Sequence, residues 1–185
     1  RDGVAQSGID PASIIFYLVD EPAHFGMPAS EVDAAARRVK ADYPSSPILM
    51  IEAWNEAGPR PVSDQIDYWG FDVYGVPDPA LEPRFGAFID AAKATMRHDQ
   101  KLVLVMEAIH HTALHPDTIE GRESLAAVAR AYDAYARGRG DIAMMLAYTW
   151  AGGIDSLDER GIRDLPEVVQ ATHREIGRAI LAASP

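Results

Sequence analysis

Two glutamates in this 185-residue chain stand where a carboxylic acid is useful to chemistry. Glu21 follows an apolar run at 13–20 (SIIFYLVD), in the tripeptide Asp20-Glu21-Pro22, and Glu107 closes the run Lys101–Glu107 (KLVLVME). Two carboxyl groups do acid–base work when their surroundings differ. One keeps its proton near neutral pH, while the other stays ionised as nucleophile or base. Scission of a glycosidic bond commonly uses such a pair flanking the bridging oxygen. Other apolar runs end in the same residue types: Glu52 and Trp54, Asp72 and Tyr74, Tyr148 and Trp150. Sugar hydroxyls want carboxylate acceptors, and the apolar face of a pyranose wants an indole or phenol ring. These residues predict a carbohydrate site. Glu21 and Glu107 are its catalytic candidates; Asp20, Glu52, Trp54, Asp72, Tyr74, His110 and Trp150 are its substrate-binding candidates. The plain alternative for a single strand-end glutamate is a helix cap or a loop anchor.

The elements that must position these residues follow from the periodicity. Runs at 13–20, 47–54, 66–74, 101–107 and 142–150 are short, apolar, and rich in β-branched and aromatic residues, which predicts five buried strands. Helices are expected between most of them. One is capped by Ser30, with Asp33 three residues on, and runs to about Asp42 ahead of Pro44. Others cover 83–98 and 122–137, and a last one is capped by Asp164, with Pro166 in its first turn, and reaches about Ala183. Five near-continuous apolar strands separated by helices predict a parallel sheet buried on both faces, in a single domain over 1–185. No Gly-rich phosphate loop follows the first strand, which argues against a nucleotide-binding doubly wound fold. In a (β/α)8 barrel all C-terminal strand ends converge on one mouth. The carboxylates and aromatics at these strand ends therefore predict a partial (β/α)8 TIM barrel.

Composition narrows the partners. The net charge of −11 argues against nucleic acid, which wants a basic stripe. No apolar run approaches the roughly 18 residues of a membrane helix, so no membrane partner is expected. With no cysteine, disulfides, thiolate zinc sites and a cysteine nucleophile are excluded. No cofactor is expected. The first residue is Arg1, so the export route is not readable; a glycan-degrading role favours a secreted or periplasmic place.

Order and spacing resemble the C-terminal half of the large clan of retaining (β/α)8 glycosidases. That clan carries an acid/base glutamate in Asn-Glu-Pro after the fourth strand, a nucleophile glutamate ending the seventh and a tryptophan ending the eighth. The resemblance makes the five strands here the fourth to eighth. It implies that Glu21 is the acid/base, Glu107 the nucleophile and Trp150 an aromatic platform, with Tyr74 near the substrate or the nucleophile. Asp20 stands where the clan has Asn. An adjacent Asp-Glu is also similar to the substrate-assisted N-acetylhexosaminidases, in which Asp orients the acetamide, Glu is the acid and no enzyme nucleophile is needed; Glu107 would then only bind. A full barrel takes ~250 residues. A missing N-terminal segment or a companion chain is therefore expected to complete this one, since a five-stranded piece exposes two sheet edges.

His24, His110, His111 and His115 raise a metal-dependent hydrolase as an alternative, but the His-x-His of metal-binding barrels is absent and no metal site is expected. Another alternative is a non-catalytic carbohydrate-binding remnant. His98 and His173 are expected on helix surfaces and Trp69 in the core. Glu56, in Trp54-Asn55-Glu56, is a rival acid. Ser30 and Ser124 lack a nucleophile-elbow context. Residues 155–164 (DSLDERGIRD) are expected to be a solvated loop, where Arg160 or Arg163 would meet an acidic sugar.

Overall fold

The computed structural model describes residues 2–54 and 60–183. In chain order the elements are α1 (Asp2–Ser7), β1 (Phe16–Asp20), α2 (Ala29–Asp42), β2 (Ile48–Ala53), β3 (Tyr68–Asp72), α3 (Pro83–Lys93) and β4 (Lys101–Glu107). They continue with β5 (Ile109–His110), α4 (Ile119–Glu123), α5 (Leu125–Arg137), β6 (Ile142–Tyr148), β7 (Arg160–Gly161) and α6 (Glu167–Ala183). The main sheet runs β1-β2-β3-β4-β6, and β5 pairs antiparallel with β7. The chain forms two compact units: Arg1–Asp72 with Ala87–Val103, and Val73–Gly86 with Leu104–Pro185.

In the first unit, β1–β2 and β2–β3 pair in parallel, with Ile51 opposite Gly70 and Glu52 opposite Phe71. Side chains alternate between the two faces of a strand. On one face Trp69 and Phe71 pack on Phe88 of α3, with ring centroids 6.0 and 5.0 Å away. On the other, a Cβ at Gly70 would stand 2.4 Å from Ile51 Cδ1 and 3.2 Å from Val103 Cβ. Glycine there lets three strands close up. Asp67 ties the strand starts, since its Oδ2 accepts from Ile48 N–H and Lys40 Nζ, each at 2.8 Å. Gln100 does the same below β4, donating from Nε2 to Ile66 O at 2.6 Å and Ser63 O at 3.0 Å.

In the second unit, α5 buries Leu125, Val128, Ala129 and Tyr132, as its periodicity predicts. Phe85 meets Tyr132 and Tyr135 edge-on at 5.8 and 5.5 Å. The chain segments at Gly152 and Gly161 cross backbone to backbone. A Cβ at Gly152 would lie 2.3 Å from Glu159 O, and one at Gly161 would lie 2.7 Å from Trp150 O.

Several expectations need correction. The parallel sheet is not buried on both faces throughout: β2, β3 and β4 are, but β1 and β6, the ends of the strand order, are only half-buried. Ser30 does not cap α2. Pro28 does, its carbonyl accepting from Glu31 N–H at 2.9 Å, and Asp33 instead bonds Ser63 Oγ and Arg37 Nε. The helix predicted to reach His98 stops at Lys93, where the Thr95 amide and hydroxyl both turn back to Ala92 O. The helix predicted from Arg122 breaks at Ser124 into α4 and α5, with Thr118 capping α4. Asp164 is held by Arg163 in a short 3-10 turn, and Pro166 directly precedes α6. Residues 155–164 are not simply a solvated loop, because they contain β7 and the buried Glu159. His98 is exposed on a turn rather than a helix, and His173 is half-buried with Nδ1 against Val169 O at 3.0 Å.

Candidate active site

The first unit holds Asp20, Glu21, Glu52, Trp54 and Asp72. Glu21 prolongs the β1–β2 ladder by one bond, donating its N–H to Ile51 O at 2.8 Å. It does so at φ +43°, in the left-handed region that a non-glycine residue rarely occupies. Such a conformation costs on the order of 1–3 kcal/mol and persists where the surroundings impose it. Here Pro22 is buried directly behind it and Phe25 N–H closes a turn onto Glu21 O at 3.1 Å. The Asp20 carboxylate is exposed and accepts from the Tyr17 hydroxyl. Burial, then that hydrogen bond and the neighbouring acidic charges, push the Tyr17 phenol up.

Strand parity separates the other three. Asp72 shares its face with Gly70, while Glu52 shares the face of Phe71, toward the helices. Glu52 is 3% exposed and lines a pocket of ≈ 370 Å³ with Ala29, Asp33, Arg60 and Ser63. The Trp54 ring lies 6.4 Å from Phe88, on the same helix side. Both were expected to contact substrate alongside Asp72. Two-residue periodicity turns them away from its face, because an end position one residue earlier or later lands on the opposite side.

Glu52 has a consequence of its own. Burial raises its carboxyl above the ordinary value of 4.5; the Arg60 charge and a backbone hydrogen bond at Ala23 oppose the rise, and the Glu21 charge adds to it. The unfolded chain therefore releases this proton at lower pH than the folded one. Stability contributed by the neutral carboxyl is lost as pH climbs from the ordinary value through the raised one. Glu52→Gln, which is neutral at every pH, is expected to raise Tm at about pH 7.5, with the gain shrinking toward about pH 4. Calorimetric scans across that range check this; a Tm difference independent of pH would discard it.

The second unit holds Tyr74, Glu107, His110, Tyr148 and Trp150. Glu107 is 1% exposed, with both oxygens occupied. Oε2 accepts from Gly75 N–H at 2.9 Å, and Oε1 meets His115 Nε2 at 2.6 Å. Gly75 sits at φ +75°, which glycine adopts without steric cost. Tyr132 lies buried nearby with no hydrogen-bond partner for its hydroxyl. Burial first, then the Glu107 charge, push that phenol up. The Tyr74 and Tyr148 rings stand 5.9 Å apart, and Tyr148 Oη donates to Asp155 Oδ2 at 2.7 Å. Asp155 N–H in turn donates to the buried Glu159 at 3.0 Å. Trp150 is 60% exposed, a free ring face beside the Gly152–Gly161 crossing.

His110 was expected to touch substrate. Instead it is fully buried in β5, its Nε2 against Pro116 O at 3.0 Å and its ring 5.8 Å from that of His115. The histidine on the glutamate is His115, which reads in the sequence only as one of several loop histidines. Among the described residues no group of three His, Asp or Glu side chains is arranged to hold a metal ion. His24 is exposed, and Glu56 lies outside the described residues.

No protein-family model matches this sequence, and no curated protein matches it. Solved structures do. Native xylanase 10B from Thermotoga maritima aligns with a TM-score of 0.57 at 12% identity, over 92% of this chain and 62% of its own. The β-glucuronidase of Bifidobacterium dentium, complexed with coumarin-3-O-glucuronide, aligns at 0.54 and 14%, over 80% and 27%. A thermostable mutant of the xylanase Xyn10A from Cellvibrio japonicus aligns at 0.52 and 14%, over 84% and 56%. The chain thus spans between 27% and 62% of these structures. At such identities the likeness is one of fold: the chain is built as part of a (β/α)8 barrel of the architecture that these glycosidases carry.

Proposed function

We propose that this chain is the C-terminal part of a glycoside hydrolase that cleaves β-linked glycosides by double displacement. Glu107 is the nucleophile and Glu21 the acid/base. The observation that carries this reading is the buried Glu107 at the end of β4, its two oxygens oriented by Gly75 and His115, in a chain whose fold is that of xylanases and β-glucuronidases. Glu107 attacks the anomeric carbon while Glu21 protonates the leaving oxygen. Glu21 then takes a proton from water, which displaces Glu107 from the sugar. Asp72, Tyr74 and Trp150 bind the sugar; Glu52, Trp54 and His110 support the strands and loops behind it. Three further β/α units, from the same polypeptide or a companion chain, complete the barrel along the half-buried edge strands β1 and β6. The partner is a carbohydrate, not nucleic acid or membrane.

The stereochemistry tests this. Proton NMR of the complete enzyme acting on an aryl β-glycoside is expected to show the β-anomer of the product first. An α-anomer appearing first would rule out double displacement. The substrate-assisted reading, in which Asp20 and Glu21 act with the substrate's own acetamide, also yields retention. Turnover of Glu107→Ala and Glu107→Gln separates the two, since only double displacement needs the Glu107 carboxylate.

A further inference from the structure

We infer that His115 is the positioning residue for Glu107, and that it acts through its Nε2–H rather than through the bulk of its ring. This rests on the proposed role of Glu107 as nucleophile. A glutamate side chain turns about three bonds, and attack on an anomeric carbon needs the oxygen within a few tenths of an ångström of one place. Gly75 N–H, a backbone donor, holds only Oε2. The other oxygen is held by a side chain, His115, at 2.6 Å.

That side chain is itself fixed. His115 is only 12% exposed, and its backbone N–H donates to His111 O at 2.9 Å. Its ring lies against the ring of His110 at an interplanar angle of 30°. His110 is in turn tied through Nε2 to the carbonyl of Pro116, the residue after His115. The buried His110 thus braces the loop that presents the donor. Gly75 reaches Glu107 from the segment after β3, and Tyr132 comes from α5 with its hydroxyl unpartnered. Among these, His115 is the side chain bonded to the carboxylate. It lies eight residues beyond Glu107, on the loop after β5.

The test uses the complete enzyme with the aryl β-glycoside that the wild type turns over fastest. His115→Phe keeps a ring and removes the donor. His115→Gln places an amide nitrogen as many bonds from Cα as Nε2 is. If the donor matters, His115→Phe lowers kcat on the order of 10²-fold with KM nearly unchanged, and His115→Gln recovers most of it. The rate of covalent trapping by the matching 2-deoxy-2-fluoro glycoside falls and recovers in parallel. His115→Phe turning over like the wild type overturns the inference, and so does His115→Gln as slow as His115→Phe. Should the phenylalanine variant not fold, His115→Asn, whose amide is one bond short, takes its place against His115→Gln with the same two outcomes. Failure of the underlying reading is seen separately. If Glu107→Ala with added azide yields no glycosyl azide of α configuration, Glu107 is not the nucleophile and the inference falls with it. If glycosyl azide forms while the His115 series is flat, only the positioning role falls.

Discussion

Glu107→Ala in the complete enzyme is expected to lower kcat on an aryl β-glycoside on the order of 10⁴-fold or more, equivalent to about 5.5 kcal/mol of lost transition-state stabilisation. With Glu107 as the proposed nucleophile, removing its carboxylate removes the covalent route itself, not merely one contact to the sugar. Azide, small enough to occupy the vacated volume, is expected to restore turnover and to give the α-glycosyl azide, since one displacement then replaces two. Glu107→Gln is expected to be nearly as slow, because an amide keeps the shape but is a far poorer nucleophile. Its NH₂ would also face the Gly75 N–H or the His115 Nε2–H, two donors that suit a carboxylate. Near-normal turnover in both variants would overturn the two-glutamate mechanism. Substrate assistance through Asp20 and Glu21 would then be the better account, and activity would be confined to substrates with a 2-acetamido group.

Glu21→Gln is expected to have the second-largest effect, and one that depends on the leaving group. With a poor leaving group, such as an alkyl alcohol or another sugar, general-acid assistance is worth roughly 10²–10⁴-fold, and that factor is lost. With 2,4-dinitrophenolate, which departs without a proton, glycosylation is expected to stay fast. Deglycosylation slows instead, because no base activates water. The signature is a burst of one phenolate per enzyme followed by slow release, seen by stopped-flow absorbance. An equal loss on good and poor leaving groups, without a burst, would remove Glu21 from the acid/base role. Glutamine has the same shape as glutamate and is expected to meet the same strain at φ +43°, so the comparison isolates the carboxyl chemistry from the local conformation.

The barrel strands were the most legible part of the sequence, for a local reason. Lys101–Glu107 has the predicted boundaries because its apolar run is short, contains two valines and is flanked by charged residues, the pattern of a strand buried on both faces. The end of α2 at Asp42 follows from Pro44, which disfavours helix in the residue before it. Other boundaries depend on which hydrogen bond wins. Pro28 rather than Ser30 begins α2, with Asp33 taken up by Ser63 from thirty residues away, and α3 stops where the Thr95 hydroxyl competes for the carbonyl of Ala92. The two-residue β5–β7 pairing joins positions some fifty residues apart and has no local signal.

The chemistry divides along the same line. From the sequence alone came the residue types and order of the candidate site: carboxylates and aromatics at successive strand ends, in a spacing that resembles that of barrel glycosidases. Which face each strand end uses was decided only by tertiary structure. A run apolar on both sides, such as Ile48–Ala53, carries no alternation from which to read direction, so Glu52 and Asp72 looked alike until the pairing of Glu52 with Phe71 put Glu52 on the helix side. The partners of Glu107 were equally hidden. Gly75 contributes a backbone N–H that no residue type announces, and His115 becomes distinct from His110 and His111 only because the loop folds back until its Nε2 meets the carboxylate.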